Sequence, residues 1–164
     1  LKAMRRDHSV SDFIKVADYF RKEIPNISIS TDIICGFPGE TEEQFGETLK
    51  LLEKIQPDSI NISRFWARPG TAAARMKQVD TDEIKRRSGI LTKFVENILT
   101  EKNKRWLGWH GKILITEHGK NHTSIGKNFA YKQVVVPGTL KLGQEVEVEI
   151  VDSGVYDLKG KIIK

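Results

Sequence analysis

The hydrophobic period changes once along this chain, and that change limits what it can fold into. Up to about Arg105, apolar residues recur at helical spacing or in short β-branched runs. From Trp106 onward they alternate with polar residues, the period of half-buried strands. One layer cannot obey both rules, so the sequence predicts an α/β segment followed by an all-β one.

In the first half, Ser9 with Asp12 three residues later reads as a helix start, and Val10, Phe13, Ile14, Ala17, Phe20 and Ile24 follow at helical spacing until Pro25. Residues 27–35 form a β-branched run of strand length, closed by the turn Gly36-Phe37-Pro38-Gly39. Thr41 with Gln44 opens a second helix bearing Phe45, Thr48, Leu49 and Leu52 on one face and ending at Pro57. Residues 59–66 read as a second strand, ended by Arg68-Pro69-Gly70-Thr71. Helix–strand–helix–strand with short loops is the pattern of a parallel sheet. Two such strands cannot bury both faces, so the segment reads as one end of a larger α/β barrel or open sheet. The absence of Met at position 1 points the same way.

Asp80-Thr81-Asp82-Glu83 starts a long helix to about Arg105, its acidic side chains matched to the N-terminal dipole. Residues 112–116, 133–136, 145–150 and 155–163 then read as strands, and residues 120–132 as a loop between two of them. Four or five short strands leave exposed edges unless they close, which predicts a small barrel. The expected boundaries are 1–79, 80–105 for a connecting helix, and 106–164 for the barrel. Trp106 and Trp109 read as packing between helix and barrel.

No apolar run reaches the ~18–20 residues needed to span a bilayer, and no apolar stretch follows the basic residues 1–6 as a signal peptide requires. The expected partners include no membrane, and the expected compartment is the cytoplasm. Cys35 is the only cysteine, which excludes an internal disulfide and any cysteine-rich metal site within the chain. The net charge of +5 permits nucleic-acid binding without establishing it, and the charge is sorted. Residues 102–132 carry seven basic residues against one acid, Glu117, while residues 145–157 carry five acids and no base. The basic stretch also holds His118, His122, Phe129 and Tyr131. Cations beside aromatics suit an RNA surface, where ammonium groups neutralise phosphates and rings stack on splayed bases. A solvated loop with ordinary packing aromatics is the alternative. The two histidines lack further ligands at suitable spacing, so no metal site is expected.

Residues 31–42 (Thr-Asp-Ile-Ile-Cys-Gly-Phe-Pro-Gly-Glu-Thr-Glu) resemble the strand-and-loop signature of the methylthiotransferase family of radical-SAM enzymes. Residues 64–71, ending Arg-Pro-Gly-Thr, resemble that family's next barrel strand and turn, and residues 1–6 look like the tail of its preceding motif. From about Trp106 the chain resembles a TRAM domain, the small RNA-binding barrel appended to these enzymes. The stretch 120–132 is most similar to the archaeal branch, which acts on threonylcarbamoyladenosine in tRNA. The resemblance implies the C-terminal part of a partial TIM-type radical-SAM barrel followed by an OB-like TRAM barrel. It also implies S-adenosylmethionine (SAM) and 4Fe–4S clusters as cofactors and reductive SAM cleavage to a 5′-deoxyadenosyl radical. Methylthiolation of an adenosine beside the anticodon would follow, with the anticodon region of tRNA as partner. The family's three-cysteine cluster motif and N-terminal cluster domain are absent here, and Cys35 matches no cluster ligand. The chain alone is therefore expected to be inactive and to partner the missing N-terminal part of the same protein.

Ligands gather at the C-terminal ends of parallel barrel strands. Asp32 lies on the polar face of the first strand with Ser28 and Ser30, and Gly36 lies where strand gives way to loop. Both are candidates for the SAM side, against a hydrogen-bonded structural role. Glu40 either faces that pocket or serves the following helix dipole. Arg68 is a candidate partner for the methionyl carboxylate of SAM or for RNA phosphate. Lys120, His122, Lys127, Asn128, Tyr131 and Lys132 are the candidate RNA contacts. Competing readings are a relative that modifies a ribosomal protein, which the basic stretch disfavours, and a non-catalytic RNA-binding module. A phosphate loop at residues 36–40 is disfavoured by the lack of a Gly-rich run or nearby Lys.

Overall fold

The computed structural model describes residues 1–163, which divide into two compact units, Leu1–Val95 and the remainder from Glu96 onward. Among the described residues, no helix is long and apolar enough to cross a membrane.

The first unit contains helix α1 (Val10–Glu23), strand β1 (Ser30–Cys35), helix α2 (Glu42–Ile55) and strand β2 (Ser59–Arg64). A short 3₁₀ turn, Ala73–Arg75, and the beginning of helix α3 (Thr81–Lys104) complete it. Both predicted capping boxes form. Ser9 Oγ accepts the Asp12 N–H at 3.2 Å while Asp12 accepts the Ser9 N–H at 2.9 Å. Thr41 and Gln44 do the same at 3.2 and 3.1 Å. Asp80 Oδ1 accepts the Asp82 N–H at 2.9 Å, satisfying an orphan donor of α3. β1 and β2 pair in parallel, Ser30 opposite Ser59 through Cys35 opposite Arg64, as the helix–strand alternation predicts. Ahead of this pair, buried Asp58 accepts the Ile29 N–H at 3.1 Å and returns its own N–H to the Ile29 carbonyl at 2.7 Å. That reciprocal pair aligns the strands where they begin. Phe45, Leu52, Ile55, Cys35, Leu91 and Val95 form the buried interior of this unit. On α1, by contrast, Val16, Tyr19 and Phe20 remain exposed, as does Ile24 at its C-cap.

The second unit is a closed barrel in the order β3-β4-β5-β7-β6. Its strands are β3 (His110–His118), β4 (Thr123–Lys127), β5 (Gln133–Pro137), β6 (Glu145–Ser153) and β7 (Leu158–Ile162). All neighbours run antiparallel except β5 and β7. Alternation places Val146, Val148 and Ile150 of β6 inside and Glu145, Glu147 and Glu149 toward solvent. Ile113, Ile115, Val134, Val136, Leu158 and Trp106 complete the core. Register shifts between Ile115 and Glu117 and between Ile150 and Asp152 bend β3 and β6, the local twist a small barrel needs to close.

The stretch 120–132 is not the loop expected from sequence, because β4 runs through it. Thr-Ser-Ile-Gly-Lys has one bulky apolar residue and so carries no visible strand period. Gly126 explains why: a Cβ there would lie 2.9 Å from both Ile113 Cδ1 and the Leu114 carbonyl oxygen. The neighbouring strand fills the place where an inward side chain would have signalled the alternation.

Candidate functional site

In the first unit, the loop after β1 is tied down from within. The Gly36 N–H donates to Glu40 Oε2 at 3.0 Å, and Arg87 Nη1 donates to the same oxygen at 2.9 Å and to the Glu40 carbonyl at 3.0 Å. Arg87 also donates through Nε to Glu83 at 2.6 Å and lies 3.3 Å from Glu42. Its guanidinium is buried, which acts against its charge, yet the hydrogen bonds to Glu40 and Glu83 prevail and hold it protonated more firmly than usual. Hydrogen bonds from Arg86 and then Arg87 hold the Glu83 carboxyl down to about 2.

This network includes two of the candidates. Gly36 has its N–H taken by the Glu40 carboxylate. It is buried at φ +81°, and a Cβ on it would meet Ile84 Cγ1 at 2.5 Å, so the glycine serves a tight turn packed under α3. The Glu40 carboxylate joins Gly36 to Arg87. Asp32 and Glu40 do line one cleft of about 610 Å³, together with Thr31, Phe37, Arg6 and His8. Asp32 is exposed and makes no ion pair among the described residues. Gly36 and Arg68 do not line that cleft, and the Arg68 side chain is exposed. Cys35 is 1% exposed, and burial pushes its thiol up to about 11, so it behaves as a small apolar core residue.

In the barrel, the six candidate RNA contacts fall into two groups. Lys120, His122 and Tyr131 are exposed, and Lys127 is half-buried with its ammonium 4.5 Å from the centre of the Tyr131 ring. His122 sits at φ 56°, and its carbonyl accepts the Gly138 N–H at 2.8 Å, which ties the β3–β4 turn to the end of β5. Asn128 and Lys132 make hydrogen bonds within the barrel unit. Asn128 is 4% exposed, and its Oδ1 accepts the N–H groups of Ala130 and Lys132, each at 3.0 Å, so it frames the β4–β5 turn. Lys132 donates to Asn103 Oδ1 at 3.0 Å.

Asn103, near the end of α3, is 2% exposed and also donates to the carbonyls of Gly154 and Val155 at 3.0 and 2.9 Å. Trp106 is buried in the barrel core, among β-strand side chains, with Trp109 edge-on at 5.7 Å. Phe129 lies 5.9 Å from Trp106 yet is exposed. Arg87, Asn103 and Phe129 are not among the site residues expected from sequence. Arg87 had a local signal in its spacing of four from Glu83, which pairs an acid and a base on one helix face, and Phe129 had one in the aromatics of the basic stretch. Asn103 looks like any polar residue at a helix end.

Residues 1–52 match the Radical SAM superfamily model, and residues 111–163 match the TRAM domain model. Over 163 residues the chain is 42% identical to a probable threonylcarbamoyladenosine tRNA methylthiotransferase of Methanocaldococcus jannaschii, covering 99% of this chain and 37% of that protein. A similarly named protein of Archaeoglobus fulgidus is 40% identical over 162 residues, 99% of this chain and 38% of its own length. The Homo sapiens threonylcarbamoyladenosine tRNA methylthiotransferase is 39% identical over 163 residues, 98% of this chain and 28% of its own. The chain thus spans less than two fifths of the length of these relatives, and the archaeal and human proteins match it almost equally well.

Proposed function

We propose, from a chain that joins a radical-SAM segment to a TRAM domain, that it is the C-terminal portion of a tRNA methylthiotransferase. The reaction would add a methylthio group to C2 of threonylcarbamoyladenosine beside the anticodon. One observation carries this reading: the two segments occur in this order within a single stretch that is similar, almost end to end, to relatives bearing that name. The exposed apolar side chains of α1 and the two-stranded sheet support a larger α/β body, since a parallel sheet needs cover on both faces.

Radical-SAM enzymes use SAM and an iron–sulfur cluster. The residues present do not fit the cluster. Cys35 is the one thiol, buried and firmly protonated, and among the described residues no three His, Cys, Asp or Glu side chains stand close enough to hold a metal. Cluster ligation therefore belongs to protein outside this chain. For SAM, the exposed Asp32 carboxylate in the cleft beside β1 remains the candidate contact, and Arg68 beyond β2 a candidate for a carboxylate or phosphate. Gly36 and Glu40 contribute by holding the loop in shape. On the barrel, Lys120, His122, Lys127 and Tyr131 are the groups offered to tRNA.

The test is mass spectrometry of tRNA nucleosides after incubating the longer protein that contains this chain with SAM, a reductant and tRNA bearing threonylcarbamoyladenosine. Appearance of the methylthio nucleoside supports the reading. A cluster-loaded enzyme that cleaves SAM and leaves the nucleoside unmodified refutes it.

A further inference from the structure

The β4–β5 connection holds two aromatic rings in water that barrel packing does not require. Ala130, between them, is turned inward and 6% exposed, whereas Phe129 is 64% and Tyr131 77% exposed. The turn is fixed. Asn128 Oδ1 accepts the N–H groups of Ala130 and Lys132, the two residues flanking Tyr131, and the Tyr131 N–H donates to the Asn128 carbonyl at 2.9 Å. Tyr131 is held at φ 62°, a conformation that disfavours a bulky residue, so the scaffold displays this ring against local preference. Phe129 leans edge-on against Trp106 at 5.9 Å and tilts against Trp109 at 6.1 Å, which limits its motion without covering it.

Resting on the reading of the barrel as an RNA-binding module, we propose that Phe129 and Tyr131 are a stacking pair for unpaired bases, by which the barrel selects single-stranded RNA over duplex. An unpaired base offers its whole π face to a ring, whereas bases inside an A-form helix are stacked on one another and out of reach. The occupant follows from charge as well as shape. The Lys127 ammonium lies over one face of the Tyr131 ring, 4.5 Å from its centre, which leaves the opposite face for a base and sets a cation for its flanking phosphate. The acidic row Glu145, Glu147 and Glu149 lies on β6, which pairs with neither β4 nor β5. The face carrying the rings is thus the one that tolerates a polyanion.

The experiment uses the full chain and two RNAs of equal nucleotide count, a hairpin with a wide unpaired loop and a blunt duplex, titrated by fluorescence anisotropy at several salt concentrations. The hairpin should bind more tightly. Tyr131→Asn, which tolerates the left-handed backbone, and Phe129→Ser should each weaken hairpin binding by roughly tenfold, the order expected for one lost base–ring stack. Both should leave duplex binding and the salt slope unchanged, and Tyr131→Phe should bind like wild type. Thermal melts run alongside confirm that each variant is folded. Equal binding of hairpin and duplex by the wild type, or folded ring variants that bind the hairpin normally, overturns the stacking pair while leaving RNA binding intact. If neither RNA binds, the RNA-binding reading fails and the stacking pair with it.

Discussion

Replacing Asn103 should loosen the barrel unit more than any surface change. Its buried amide donates to the carbonyls of Gly154 and Val155 and accepts from Lys132. Removing the side chain takes a donor from two carbonyls and an acceptor from an ammonium. A buried group left without its partner costs about 1–3 kcal/mol. Gly154, Val155 and Lys132 are only half-buried, so water replaces part of each bond. The sum expected for Asn103→Leu, which keeps the volume and loses the polar atoms, is about 2–4 kcal/mol. For a unit of this size that lowers Tm by roughly 10 °C or more. The assay is urea unfolding followed by tryptophan emission in a Trp66→Phe background, which leaves Trp106 and Trp109, both in the barrel unit, as reporters. An Asn103→Leu protein whose midpoint and slope match wild type would refute the anchoring role. The same bonds predict that a barrel fragment beginning at Lys104 is unstable while one beginning at Glu96 or earlier folds.

Arg87→Met should destabilise the first unit by about 3 kcal/mol, because it leaves the Glu40 carboxylate half-buried without its cation. Adding Glu40→Gln should recover part of that loss in a double-mutant cycle followed by far-ultraviolet circular dichroism, and strict additivity would contradict the network. The Cys35 thiol, raised from 9.0 to about 11, gives a stability contribution fully present below pH 9 and lost as pH rises toward 11. The alkaline slope in a pH series of denaturation curves should therefore flatten in Cys35→Ala, and alkylation of the folded protein at neutral pH should be slow. Gly126→Val should prevent barrel closure, seen as loss of the Trp106 emission of the buried state, since its side chain would strike Ile113 and the Leu114 carbonyl.

The helices and the parallel strand pair were legible because each signal is local: capping boxes at Ser9 and Thr41, β-branched runs between turns, and prolines after the helices. Closure of the barrel was legible from the number of short strands whose edges would otherwise stay exposed, and β6 itself from the alternation of Val146, Val148 and Ile150 with acids. Strand β4 was hidden because its inward positions are Ser124 and Gly126, which pack by smallness. The candidate sites were harder to read for a related reason. Composition marks Lys and Asn near aromatics as an RNA surface, yet only the turn geometry reveals that Asn128 faces inward while Phe129 faces out. Gly36 and Glu40 lie in the motif that suggested a ligand, but partners far along the chain decide what they do: Ile84 closes over the glycine, and Arg87 holds the carboxylate. Long-range partners of this kind leave no periodic trace in sequence.

Whether this chain's barrel grips tRNA through phosphate contacts is tested most directly by a salt titration. Fluorescent tRNA is titrated with the full chain across a range of salt concentrations, and log Kd is plotted against log salt. The expected result is a straight line with each phosphate contact contributing about 0.7–0.9 to the slope, and a slope smaller by about 1 in Lys120→Gln. Affinity that ignores salt, or no binding at low salt, would contradict it.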